Sequence, residues 1–216
     1  MKTKTLGILI ASMASVALMG AGFSTWVVSG TIDKADAAPV TVAVGAVEDS
    51  RLTIAAQLMA EDKLTFDCGG VPANERGGLI GVKDGSATED LSVTVDVTVT
   101  AGASYTGGAI NIGWNVTLPE VVTTNHLAVL SEVTSSGSSV IGDKISITPT
   151  PGGNVQASLT FTFGWGSAFL GKNPAKIAAN ELTESVTLET ILRDLGKLKS
   201  AMEVSSAVTI NINPIA

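Results

Sequence analysis

The segment Leu91-Ser92-Val93-Thr94-Val95-Asp96-Val97-Thr98-Val99 constrains the fold more than any other stretch of this chain. Leu91 and four valines take every second position, and Ser, Thr and Asp fill the places between. Side chains of a strand point alternately to two faces, so this pattern lays one apolar face on a core and turns a polar face to water. A helix would scatter the same valines around its surface. One dry face and one wet face mark an antiparallel sheet, since parallel sheets are covered on both sides.

The same pattern recurs along the chain. Val40-Thr41-Val42-Ala43-Val44 follows Pro39, and Val155 to Phe163 alternates again. Ala109 to Val116, Leu127 to Val133, Val140 to Thr148 and Ala207 to Asn213 are further strands. Leu52 to Leu58 and Leu64 to Cys68 read as short strands, although Ala55 to Met59 is equally readable as a helical turn. Turn residues separate them: Gly69-Gly70, Gly107-Gly108, Ser135 to Ser139 and Pro149 to Gly153. Short strands with this punctuation predict a mainly β fold, a sandwich or barrel. Composition agrees, because 45% of the 216 residues are hydrophobic while only 4% are aromatic, which favours β-branched packing.

One helix is expected, over about residues 184–202. Val186, Leu188, Ile191, Leu192, Leu195, Leu198 and Met202 form an apolar stripe. Glu181, Glu184 and Glu189 precede Arg193, Lys197 and Lys199, the order that complements the helix dipole. The helix is expected to close an open end of the sandwich. Asn173-Pro174 reads as an N-cap followed by proline at the first position of a shorter helix.

The first residues have another task. Lys2 and Lys4 precede the apolar run Leu6 to Phe23, the layout of a secretory signal. The run is long enough for a membrane anchor, but its second half is rich in Ala, Gly and Ser, which suits a peptidase better than lipid. Residues 1–27 are therefore expected to leave as a signal helix, and 28–216 to form a single domain. Ala35-Asp36-Ala37 has the small-x-small form but lies far beyond the apolar run; a cut near Trp26, Val27 and Val28 sits closer to its end. Contact with a membrane is expected only through the uncleaved signal.

The formal charge is −7, and no basic patch stands out, so nucleic acid is a poor partner. The single cysteine, Cys68, has no internal disulfide partner and no zinc-ligand spacing. It is expected to be a free thiol, with pairing between chains as the other option.

From the end of the apolar run, Gly20-Ala21-Gly22-Phe23-Ser24-Thr25-Trp26-Val27-Val28-Ser29, a polar stretch and a Val-rich strand up to Gly45 resemble the N-termini of TasA and camelysin-like proteins. Gram-positive bacteria export these through a SipW-type signal peptidase, and the resemblance places the cut near Val27 or Val28. It covers roughly the first fifty residues. Glu89-Asp90-Leu91 and Phe163-Gly164-Trp165-Gly166-Ser167-Ala168-Phe169, with Asn173-Pro174, also look like patterns in that exported group. The resemblance implies a jelly-roll sandwich with peripheral helices and a role in biofilm matrix, where an N-terminal segment of one subunit completes a neighbour's sheet. Pro39 to Val47, with Val40, Val42, Val44 and Val47, is the candidate donor strand; the alternative is that it pairs within its own domain.

Other constellations carry less. His126 is the only histidine, which rules out the two-histidine helical motif of metalloproteases. No Gly-x-Ser-x-Gly elbow accompanies it, so no enzyme is expected. Gly166 to Asn173 nearly matches a phosphate-binding loop, but Asn173 stands where Ser or Thr should hold Mg²⁺. The acidic runs Asp84 to Asp90 and Glu61-Asp62 lack the ligand ladder of a calcium loop. No cofactor is expected. Trp114 and Trp165 would form a sugar platform if exposed together, though strand positions favour core packing. The leading expectation is a secreted structural protein that polymerises with itself by strand exchange. The alternative is an extracellular binding module for carbohydrate or a surface protein.

Overall fold

The computed structural model describes residues 40–44, 51–59, 64–82, 89–203 and 208–215. The predicted signal, its cleavage region at Trp26, Val27 and Val28, and Val47 of the candidate donor lie outside these residues. So does most of both acidic runs.

Within the described residues the fold is mainly β. Its strands are β1 (Val40–Val44), β2 (Leu52–Leu58), β3 (Ser92–Ala101), β4 (Ile110–Thr117), β5 (Ala128–Ser136), β6 (Lys144–Ile147), β7 (Asn154–Trp165) and β8 (Val208–Ile215). They form two four-stranded sheets, ordered β1-β8-β4-β6 and β2-β3-β7-β5. The sheets face each other across one core. Val93, Val95, Val97 and Val99 of β3 and Leu159 and Phe161 of β7 are fully buried, opposite Ile112 of β4 and Val208, Ile210 and Ile212 of β8. On the other face of β3, Thr94 and Asp96 meet the hydroxyls of Thr160 and Ser158 on β7. The alternation thus sorts dry from wet as the sequence dictates.

The pairings are antiparallel with one exception: β1 runs parallel to β8, in the register Val40↔Val208 to Val44↔Ile212. Alternation specifies a face but not a partner's direction, so the sequence could not show this. Ala55 to Leu58 is strand throughout. Leu64 to Cys68 is not a regular strand; Thr65 bridges Asp90, and Leu64 and Phe66 tuck into the core. The fourth strand of the first sheet is also shorter than expected. Val140 bridges only Ile145, and Gly142, at φ 63°, turns the chain before β6 begins at Lys144.

Among the described residues two α-helices accompany the sheets, α1 (Glu120–Thr124) and α2 (Leu188–Met202). The longer one starts four residues later than expected, because the Thr187 hydroxyl accepts the Thr190 N–H and fixes the N-cap there. Ile191, Leu195, Leu198 and Met202 are buried, while Leu188 stays exposed. This helix packs on α1 and on the 3-10 turn Ser167–Phe169. Lys197 links the two helices, pairing with Asp194 and donating to the side-chain Oδ1 of Asn125, the residue that caps the end of α1. The sequence reading missed α1, which is too short to show a period.

Gly196 sits inside α2 with nothing within 4 Å of where a Cβ would lie. Gly196→Ala is therefore expected to stabilise the fold by about 0.5–1 kcal/mol, read as a higher urea midpoint at unchanged slope.

Candidate functional site

The side chains singled out in the sequence fall into three places. Val40, Val42 and Val44 lie on β1, at the outer edge of the first sheet. Val40 and Val42 are half-buried against the core, and Val44 is 36% exposed.

Trp114, Trp165 and His126 instead meet at a groove of about 1000 Å³ on the open flank of the sandwich. Its walls are strand edges. Trp114, Asn115 and Val116 of β4 line one side in unbroken succession, and Ala128, Val129 and Leu130 of β5 line the other. A strand's face contributes every second residue; consecutive residues mark its edge. The edge of β4 is open here because β6 pairs only with Ile110 to Gly113. Among the described residues, no strand pairs with Trp114 to Thr117 on the side away from β8. Trp165, Gly166 and Leu170 complete the lining, and Asp143 stands where β6 begins.

His126 reaches this groove by a strained route. It follows the C-cap of α1 at φ 52°, where glycine is usual. Its N–H donates to the Thr123 carbonyl, and the Leu127 N–H donates to Val122. Its own carbonyl takes the Ala168 N–H, and a Cβ on Gly166 would lie 1.9 Å from that oxygen. Only glycine fits at 166.

The two tryptophans differ. Trp165 is 5% exposed, with Phe66 and Phe169 set edge-on to it at 5.1 and 5.2 Å between ring centres. Trp114 is half-buried, packed edge-on to Phe161 across the sandwich. They share a groove without forming two open parallel faces.

Beneath Trp165 lies a buried polar cluster that the sequence did not announce. The Trp165 indole N–H donates to Glu89. The Asn173 amide donates to the same Glu89 oxygen at 3.0 Å and to the Asp67 carbonyl at 2.7 Å, while its Oδ1 accepts the Ala175 N–H. Asn173 does cap a turn with proline at its first position, Pro174–Lys176, as read from the sequence, but a 3-10 turn rather than a helix. Lys172, the lysine of the near-match phosphate loop, is paired with Glu181. Cys68 is a buried free thiol, and desolvation pushes its pKa up to about 12.

Asp67 is 1% exposed, and its Oδ2 has no hydrogen-bond partner. Burial raises the pKa of Asp67 against the Gly69 N–H that opposes it. Burial also raises that of Glu89, against hydrogen bonds from Trp165 and Asn173, the attraction of Lys176, and with a further push from Asp67. Each carboxyl is thus easier to protonate folded than unfolded. Their contribution is most favourable below the ordinary values of 3.8 and 4.5, falls as pH rises from there through the raised folded values, and is level above. Asp67→Asn is expected to remove part of this decline, so that stability relative to wild type improves between pH 4 and pH 7. Urea titrations of both proteins across that range measure the difference.

Compared with protein-family models, curated proteins and solved structures, the chain finds no match.

Proposed function

We propose that this chain is an exported structural protein, a subunit of an extracellular matrix or cell-surface fibre that assembles by β-strand exchange, on the pattern of the TasA and camelysin-like proteins its N-terminus resembles. In this reading residues 1–27 are removed by a signal peptidase during export, no reaction is catalysed, and the main partner is another copy of the chain. The sandwich is read as jelly-roll-like, because every connection between successive strands except β2 to β3 passes from one sheet to the other.

The observation that carries the proposal is the position of β1. It is a five-residue strand at a sheet edge, paired among the described residues with β8 alone and in the parallel sense, which is the slightly weaker ladder. Its removal would uncover β8, an otherwise well-buried strand. The same segment from a neighbour would restore identical pairs, so the choice between own and neighbouring strand rests on linker and concentration.

Paired cysteines test this. Val42 and Ile210 are direct partners across the β1–β8 ladder. In a Val42→Cys, Ile210→Cys variant of the processed protein, oxidised after assembly, exchange gives disulfide-linked oligomers on a non-reducing gel and fibres by electron microscopy. Cross-linked monomer alone, at every concentration, refutes it.

A second reading is a binding module for carbohydrate or a surface protein. The shared groove of Trp114 and Trp165 favours it.

A further inference from the structure

We infer that the groove between β4 and β5 is a peptide-binding site, taking an extended segment of a partner protein with apolar side chains at alternate positions and a basic residue at one end. This rests on the second reading, that the groove binds a ligand, and names the ligand's class.

The main chain makes the first argument. β6 lies antiparallel to β4 as far as Lys144 opposite Gly113, and the turn at Gly142 then carries the chain away. Trp114 to Thr117 continue without a neighbour in that row among the described residues. A strand edge offers N–H and C=O groups at a fixed spacing, and another extended backbone is what matches them. On the facing wall, β5 pairs with β7 on one side and forms the border of its sheet. The bulge between Leu130 and Glu132 bends β5 at the far end of the groove.

Side chains make the second. A strand laid beside β4 would project alternate residues inward over Trp114, Leu118, Leu130 and Leu170, and the others toward solvent. A sugar is the poorer fit, because Trp165 is hemmed in by Phe66 and Phe169 and only Trp114 offers part of a ring. Charge makes the third. Asp143 is exposed at the mouth, in a chain of formal charge −7, and among the described residues it makes no ion pair. A lysine or arginine flanking the apolar run would meet it.

The exchange of β1 does not fill this place. In that proposal the donated strand lies along β8, on the far side of β4 from the groove.

The test uses the processed protein and a fluorescein-labelled probe peptide, Lys-Val-Thr-Val-Thr-Val-Lys, read by anisotropy and by the Trp114 indole N–H resonance. The probe should bind, and methylating its alternate backbone nitrogens on the β4-facing side should weaken it by about tenfold or more. Trp114→Ala should weaken it similarly; Val129→Arg, at an exposed position on the opposite wall, should do so without disturbing the core. Asp143→Asn should weaken it by about two- to fivefold at low salt, as an exposed ion pair does. Equal binding of the methylated peptide, or indifference to both wall variants, overturns the inference. A tighter fit of the chain's own Val40-to-Val47 peptide assigns the groove to a second copy and also overturns it. If chitohexaose shifts the Trp114 resonance and the peptide does not, the groove still binds but the inference falls. If neither shifts it, the second reading falls with it.

Discussion

Replacing Phe161 with alanine is expected to lower the folding stability by about 3–5 kcal/mol. Phe161 is fully buried on β7, a strand paired on both sides within its sheet, and faces Val93 and Val133 across the two ladders. Its ring also meets Trp114 of the opposite sheet at 6.0 Å, nearly perpendicular. The substitution therefore empties the contact that spans the two sheets, and close-packed neighbours cannot collapse to fill it. Urea unfolding followed by tryptophan fluorescence measures the loss. A change of less than about 1 kcal/mol would mean that the sheets do not pack through this ring.

Asn173→Ala should cost about 2–4 kcal/mol through a different mechanism. No large volume is lost, but the carboxamide serves three partners: the Asp67 carbonyl, Glu89 and the Ala175 N–H. Its removal leaves a buried backbone pair unsatisfied and takes one donor from the half-buried Glu89 carboxylate. Asp67 and Asn173 are 106 residues apart, so the bonds pin the Leu64-to-Cys68 segment to the 3-10 turn that Asn173 caps. Faster amide exchange at Val71 and Gly77, whose N–H groups donate to Cys68 and Ala175, should accompany the loss. Asn173→Asp would place a third carboxyl there, and its effect should grow as pH rises through the range in which these carboxyls ionise.

Most of the sheet was legible before any coordinates. Val93 to Val99 and Val155 to Phe163 face the core because period-two patterning and burial are the same fact seen twice. The N-cap role of Asn173 was legible for the same local reason. What could not be read was whatever depends on a partner distant in sequence. Nothing in Val40 to Val44 records that its neighbour is β8 or that the two run parallel. Nothing in Trp114 to Thr117 records that the pairing with β6 stops opposite Gly113; the nearest signal is Gly142, a turn residue inside the stretch taken as strand. Glu89 was grouped with an exposed acidic run, yet it is held by Trp165 and Asn173, residues more than seventy positions away. A carboxylate held by distant partners carries no local mark that separates it from a solvated one.

The parallel ladder between β1 and β8 has a mechanical consequence. A pull exerted upstream of Val40 and downstream of Ile215 drags the two strands lengthwise past each other, because they point the same way. Each cross-strand bond then lies across the load and all of them strain together, as in a lap joint. Antiparallel terminal strands pulled from the same two ends would open like a zip, one bond at a time. A chain tethered at both ends would thus meet tension with its whole ladder at once.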